Sequence, residues 1–327
     1  MRKRCGMMAT VATVAFVALL AVAAIAAVVA PLLVYSTTLA TFGAAHVLVE
    51  LRVLDVRYRR ALRPTAWHGI AAALAIVFVI RCAANLDAIP RTLAHPLELV
   101  AGCVGVLAVV PSCWARGRRH GGLAIAVVAA LFVGLAVSPL GTLLVLAIVH
   151  NLAPWPLVAA ASQGGVARRR VGIVGAVVYV VVPLLIATGV PFAALASVAS
   201  PEATVLPTGP LFDHLPAFWG PSPTAQPELA LHVFSACAYL QCAHYVGVLL
   251  VLAHVGPPTT RVPSRVIAIA IAIGFVVAVT YAFDFFAARA WYGTLAAVHA
   301  WAEFPAVLVA LAGTTTAPQP RVINHTP

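Results

Sequence analysis

Two histidines in this sequence are each followed one helical turn later by a carboxylate, His46-Val-Leu-Val-Glu50 and His299-Ala-Trp-Ala-Glu303. On a helix the i, i+4 spacing puts both groups on one face, where they can reach a single cation or the carboxylate can orient its imidazole. Two further histidines, His150 and His244, stand inside apolar runs, with Asn151 directly after the first and Gln241 and Tyr245 beside the second. Imidazole with carboxylate suits iron, zinc or copper. The six cysteines form no C-x-x-C pair, so neither an iron–sulfur cluster nor a zinc knuckle is indicated.

These groups are informative because of the background that carries them. The chain has 327 residues, of which 63% are hydrophobic and only 9% charged. Soluble domains carry about a quarter charged residues, and disordered chains are polar, so both classes are excluded. An all-α, polytopic integral membrane bundle remains, with the lipid bilayer as its partner. The net charge of +11 does not suggest nucleic acid, because the basic residues stand at the ends of apolar runs. No Walker, Rossmann or serine-hydrolase motif appears.

A helix needs about 20 apolar residues to cross a hydrocarbon core about 30 Å thick. Cutting at arginine clusters, prolines and polar loops gives ten spans: 8–30, 34–55, 66–85, 96–114, 121–137, 141–163, 172–197, 228–254, 264–288 and 291–312. With the N-terminus inside, this division places all the basic residues on the cytoplasmic side except Arg81, Arg91 and Arg289. That asymmetry supports ten helices with both termini in the cytoplasm of a bacterial inner-membrane protein. The basic start at Arg2-Lys3-Arg4 also resembles a signal peptide, but its apolar run exceeds the usual length and no small-x-small cleavage site follows. Residues 1–312 then form a single transmembrane domain. The Pro-rich loop 198–227 lies outside, where Phe212, Phe218 and Trp219 anchor at the interface, and 313–327 form a disordered cytoplasmic tail.

On this layout His46, His150 and His299 fall about 12 to 18 Å below the outer edge, with His244 somewhat deeper. All four sit on even-numbered helices. A single buried histidine is often only an interhelical hydrogen-bond donor worth on the order of 1 kcal/mol. Four of them with two glutamates, in a chain with nine acidic residues, indicate a metal site. His46, His150, His244 and His299 are the expected metal ligands, Glu50 and Glu303 the catalytic or ligating carboxylates, and Gln241, Asn151 and Tyr245 the groups that orient ligand or substrate. Tyr239, Tyr281 and Asp284 are expected to extend the polar core. His232 is a marginal member, whereas His68, His95, His120, His214, His254 and His325 lie at span ends or in loops and should be solvated.

Three function classes fit this set. In the first, a non-haem iron enzyme oxidises a lipophilic molecule that enters sideways from the bilayer. The second is a b-haem electron carrier, and the third a proton or metal-ion transporter. Haem ligation does not require a carboxylate one turn from each histidine, and paired Gly/Pro-broken helices are not evident, so the enzyme is favoured. Iron is the expected metal, with haem b, copper or zinc as alternatives.

The segments Phe42-Gly43-Ala44-Ala45-His46 and Gln241-Cys242-Ala243-His244-Tyr245 resemble the Brp/Blh group of membrane-embedded β-carotene oxygenases. The resemblance covers these short patches and the general architecture. It implies a membrane-buried, histidine-ligated iron oxygenase. That group carries an acidic residue soon after a glycine that follows the first histidine; here Val47 follows His46 and the carboxylate comes later, at Glu50.

Overall fold

The computed structural model describes residues 2–162, 164–215, 226–256 and 261–313, with side chains omitted for 2–15 and 60. It is an all-α bundle without strands among the described residues. The helices are α1 (Arg2–Val29), α2 (Pro31–Tyr58), α3 (Pro64–Asn85), α4 (Arg91–Trp114), α5 (Arg118–Val137), α6 (Pro139–Ala161), α7 (Gly165–Ala187), α8 (Pro227–Leu252), α9 (Ser264–Phe283) and α10 (Phe285–Leu311). Nine of them, α2 to α10, are long and apolar enough to cross a membrane; α1 adds the apolar stretch Phe16–Val29. The chain is therefore a multi-pass membrane protein. Phe218, Trp219 and the expected tail from residue 314 on lie outside the described residues.

The helices α2, α8 and α10 form the centre, with α8 and α2 the most deeply buried. Helix α2 packs against both α8 and α10, and α8 and α10 each meet the middle of α6, so the four histidine-bearing helices are neighbours. In contrast, α3, α5 and α9 turn most of their surface outward, where large apolar side chains such as Phe78, Phe132 and Phe275 meet lipid.

Two departures from the expected boundaries bear on the site. The last two helices meet at Asp284, not near residue 290. Asp284 is extended (φ −150°, ψ 101°), and its carboxylate accepts from the Ala287 amide at 3.0 Å, capping α10. Hydropathy alone passes over a one-residue break of this kind. As a result Asp284 is exposed rather than part of a polar core, and Arg289 lies on α10 itself. The other change is in span 172–197, where Gly189 (φ 79°) and Pro191 end α7 early and start the separate short helix Val190–Leu195.

The long loop folds back over the bundle. His214, expected to be solvated, is fully buried among Tyr35, Phe285 and Phe286. Its Nε2–H donates to the Thr208 carbonyl at 2.9 Å, which leaves Nδ1 to accept from Arg289 at 3.0 Å. Burial pushes this imidazole below its usual range, and the Arg289 charge acts in the same direction, so the neutral tautomer is favoured. Sequence spacing gave no hint of this contact, which joins residues 75 positions apart.

Candidate metal centre

Each histidine of the centre is placed by a local departure from plain helix or by a packed neighbour. The departure at His150 follows from Pro154. Proline has no amide hydrogen to reach the carbonyl four residues back, and its ring crowds that carbonyl. The His150 carbonyl accepts instead from Ala153 at 2.9 Å, and residues His150–Leu152 tighten into a 3-10 turn in the middle of α6. His150 thus projects from a break in its helix.

His244 lies just before a π-helical turn, Gly247–Leu252. Such wide turns recur at functional sites because they shift the register of the residues around them. Here the carbonyl of Ala243 accepts a hydrogen bond from the Tyr179 hydroxyl at 3.2 Å. Gly247 makes the approach possible, since a Cβ at that position would collide with the same hydroxyl. His46 and Glu50, and His299 and Glu303, occupy uninterrupted helix on α2 and α10 and share a face as their spacing requires.

These six side chains converge. His299 Nε2 is 2.7 Å from Glu303 Oε1 and 3.1 Å from Glu50 Oε2. His244 Nε2 is 3.3 Å from the same Glu50 oxygen and 3.9 Å from Glu303 Oε1. His150 Nδ1 reaches Glu303 Oε2 at 3.3 Å. Donor atoms of His150, His244, His299 and Glu303 lie within 4.8 Å of one another, close enough to hold one metal ion. Iron, copper and zinc all accept this mixture of imidazole and carboxylate.

His46 flanks this set. Its ring stands edge-on to those of His244 and His299, at 5.0 and 4.9 Å between centroids, and stacks on Tyr245 at 4.1 Å. Its Nδ1–H faces the Phe42 carbonyl at 3.2 Å, so the lone pair is on Nε2. Metal-binding histidines are commonly held in this way, with the other ring nitrogen on a carbonyl. His46 Nε2, Glu50 Oε1, His244 Nδ1 and His299 Nδ1 are buried without a hydrogen-bond partner. Orphaned buried polar atoms are costly, so several in one cluster require an explanation, and metal ligation provides one.

The three expected orienting groups take different positions. Tyr245 meets His46 directly and shares a hydrogen bond with Tyr292 at 3.1 Å between hydroxyls. Gln241 donates to the Tyr35 carbonyl and to Thr38, whereas Asn151 donates to the Ala147 carbonyl at 2.8 Å. All three also line a cavity of about 560 Å³ together with His150, the only member of the four-donor set that does so. His232 packs on Phe192, and buried Tyr239 and Tyr281 do not line this cavity.

Sequence reasoning missed a second buried polar cluster on the cavity wall. Glu98 holds Arg81 through two contacts, Nε to Oε2 at 2.6 Å and Nη2 to Oε1 at 3.0 Å. The Trp301 indole donates to the same carboxylate at 3.1 Å. Gly102, one turn after Glu98, admits the Trp301 ring where any Cβ would collide with it. The signal was present, because Glu98 is an acidic residue inside an apolar span and Arg81 is a base inside the preceding one.

Comparison with family models, with curated proteins and with solved structures finds no match for this chain.

Proposed function

We propose that this protein is a metal-dependent membrane oxidoreductase, a non-haem iron oxygenase or oxidase acting on a lipophilic substrate. One observation carries the reading: a buried three-histidine, one-carboxylate donor set stands at the edge of a largely apolar cavity that His150 also lines. Iron held there would supply redox chemistry beside the cavity. Glu303 would ligate it, Glu50 would balance its charge and orient His244 and His299, and His46 would ligate or fix the Tyr245 ring against the cavity. A second cavity lined by Phe78, Trp291 and Leu295 shares Tyr292 with the first, which suits sideways entry from the bilayer. The short patches around His46 and His244 that resemble Brp/Blh oxygenases point the same way.

The haem alternative fits less well. The imidazoles pack against each other at 4.7 to 5.8 Å between centroids, with two carboxylates between them, and leave no flat slot for a macrocycle. A proton relay has one observation in its favour, the run of contacts from Glu50 through His299 and Glu303 to His150. Dioxygen uptake separates the two readings. Iron-loaded protein supplied with carotenoids and other membrane lipids is expected to consume dioxygen in a lipid-dependent manner, and His150→Ala to abolish it. Proton flux in proteoliposomes without lipid-dependent uptake would overturn the oxidoreductase reading.

A further inference from the structure

The cavity beside His150 is polar at one end in a specific way. It is lined by Arg81, Arg91 and Arg289, the same three bases that the sequence layout separates from all the others. Arg81 lies near the end of α3, Arg91 starts α4 and Arg289 is in the second turn of α10, so they belong to one end of the bundle. The single carboxylate among the lining residues is Glu98, already engaged by Arg81 and Trp301. Arg91 forms no ion pair among the described residues. Arg289 meets His214, the Tyr35 side chain and the face of Phe286 (5.0 Å), and forms no ion pair among the described residues. Among the lining residues three guanidinium groups face one carboxylate, while Asp213 and Glu202 lie near His214 outside the lining.

Apolar surface fills most of the remaining wall, including Leu39, Leu143 and Leu146. Arg289 and His299 are ten residues apart on α10, so the arginine tier stands about 15 Å along the axis from the metal centre. A cavity of about 560 Å³ is within the range used for small organic ligands, and is too small for a whole phospholipid.

We propose that this cavity binds a single-chain organic anion, with its carboxylate or phosphate head at Arg91 and Arg289 and its apolar body directed towards His150. The assignment deepens the function proposed above and rests on it only for the ligand being the substrate. Arg91 is exposed at the rim of the cavity and Arg289 is half-buried, and guanidinium groups recognise such heads by charge-assisted, often bidentate hydrogen bonds. The same positive end opposes entry of metal cations by this route.

The test uses full-length protein in lipid nanodiscs with radiolabelled laurate, and dodecanol, inorganic phosphate and phosphatidylglycerol as competitors. Laurate is expected to bind saturably. Arg91→Gln should weaken it about tenfold and the Arg91→Gln/Arg289→Gln pair further, with Arg289→Lys closer to the parent. Dodecanol and phosphatidylglycerol should compete poorly, and inorganic phosphate only at far higher concentration. Because Arg289 also supports His214, Arg91→Gln is the variant that decides. Unchanged laurate binding in that variant, or dodecanol or phosphate binding as tightly as laurate, would overturn the proposal. Preferential displacement by phosphatidylglycerol would overturn it in favour of a lipid headgroup site. Running the assay with and without bound metal keeps the two readings apart: laurate binding by a protein that retains no metal removes the metal reading alone, and metal retention without laurate binding removes the anion site alone.

Discussion

Replacing His299 by alanine is expected to lower metal affinity by at least about two orders of magnitude while leaving the protein inserted and monodisperse. The expectation follows from its position. His299 Nε2 is within 3.1 Å of oxygens from both Glu50 and Glu303, so this ring touches both carboxylates and belongs to the four-donor set. Removing it deletes a ligand and leaves the two carboxylates facing each other without the ring between them. Protein that remains folded should therefore also lose stability relative to the parent. His254→Ala, at an exposed position beyond the π-helical turn of α8, provides the control and should retain full metal content. Metal analysis after gel filtration reads both variants, and full occupancy in His299→Ala would exclude His299 from the centre.

Glu98→Ala should produce the largest loss of stability outside the metal centre. Glu98 is 2% exposed and is the partner of both Arg81 and Trp301, so its removal strands a guanidinium and an indole donor on the cavity wall. Breaking a fully buried ion pair from one side costs about 3 to 5 kcal/mol. The Arg81 side chain is 32% exposed and can draw on solvent, which places the expected cost nearer about 2 kcal/mol. Thermal unfolding in detergent should show a drop on the order of 5 °C. The double substitution Arg81→Met/Glu98→Leu leaves no unpaired charge and should recover much of that loss. An unchanged melting temperature for Glu98→Ala would mean that the cluster contributes nothing to the fold.

The sequence revealed the centre more fully than it revealed the surroundings. Spans are legible because lipid demands about 20 apolar residues and internally satisfied backbone. The His46/Glu50 and His299/Glu303 pairs are legible because helix periodicity alone places them on one face. That four helices bring these residues together is not legible, since it depends on which faces of α2, α6, α8 and α10 pack inward. The break at His150 was written in Pro154, yet its consequence depends on the carbonyl four residues earlier and not on hydropathy. His214 was misread for a related reason. A loop histidine is solvated by default, and only the fold of the loop over the bundle buries it against Arg289. Tyr292, which meets both Tyr245 and the cavity, carried no signal beyond its type.

The measurement that bears most directly on the account is metal analysis combined with an absorption spectrum of the full-length protein purified in detergent. About one or two iron ions per chain and no Soret band are expected. A Soret band at haem stoichiometry, or protein that binds no transition metal after reconstitution, would contradict it.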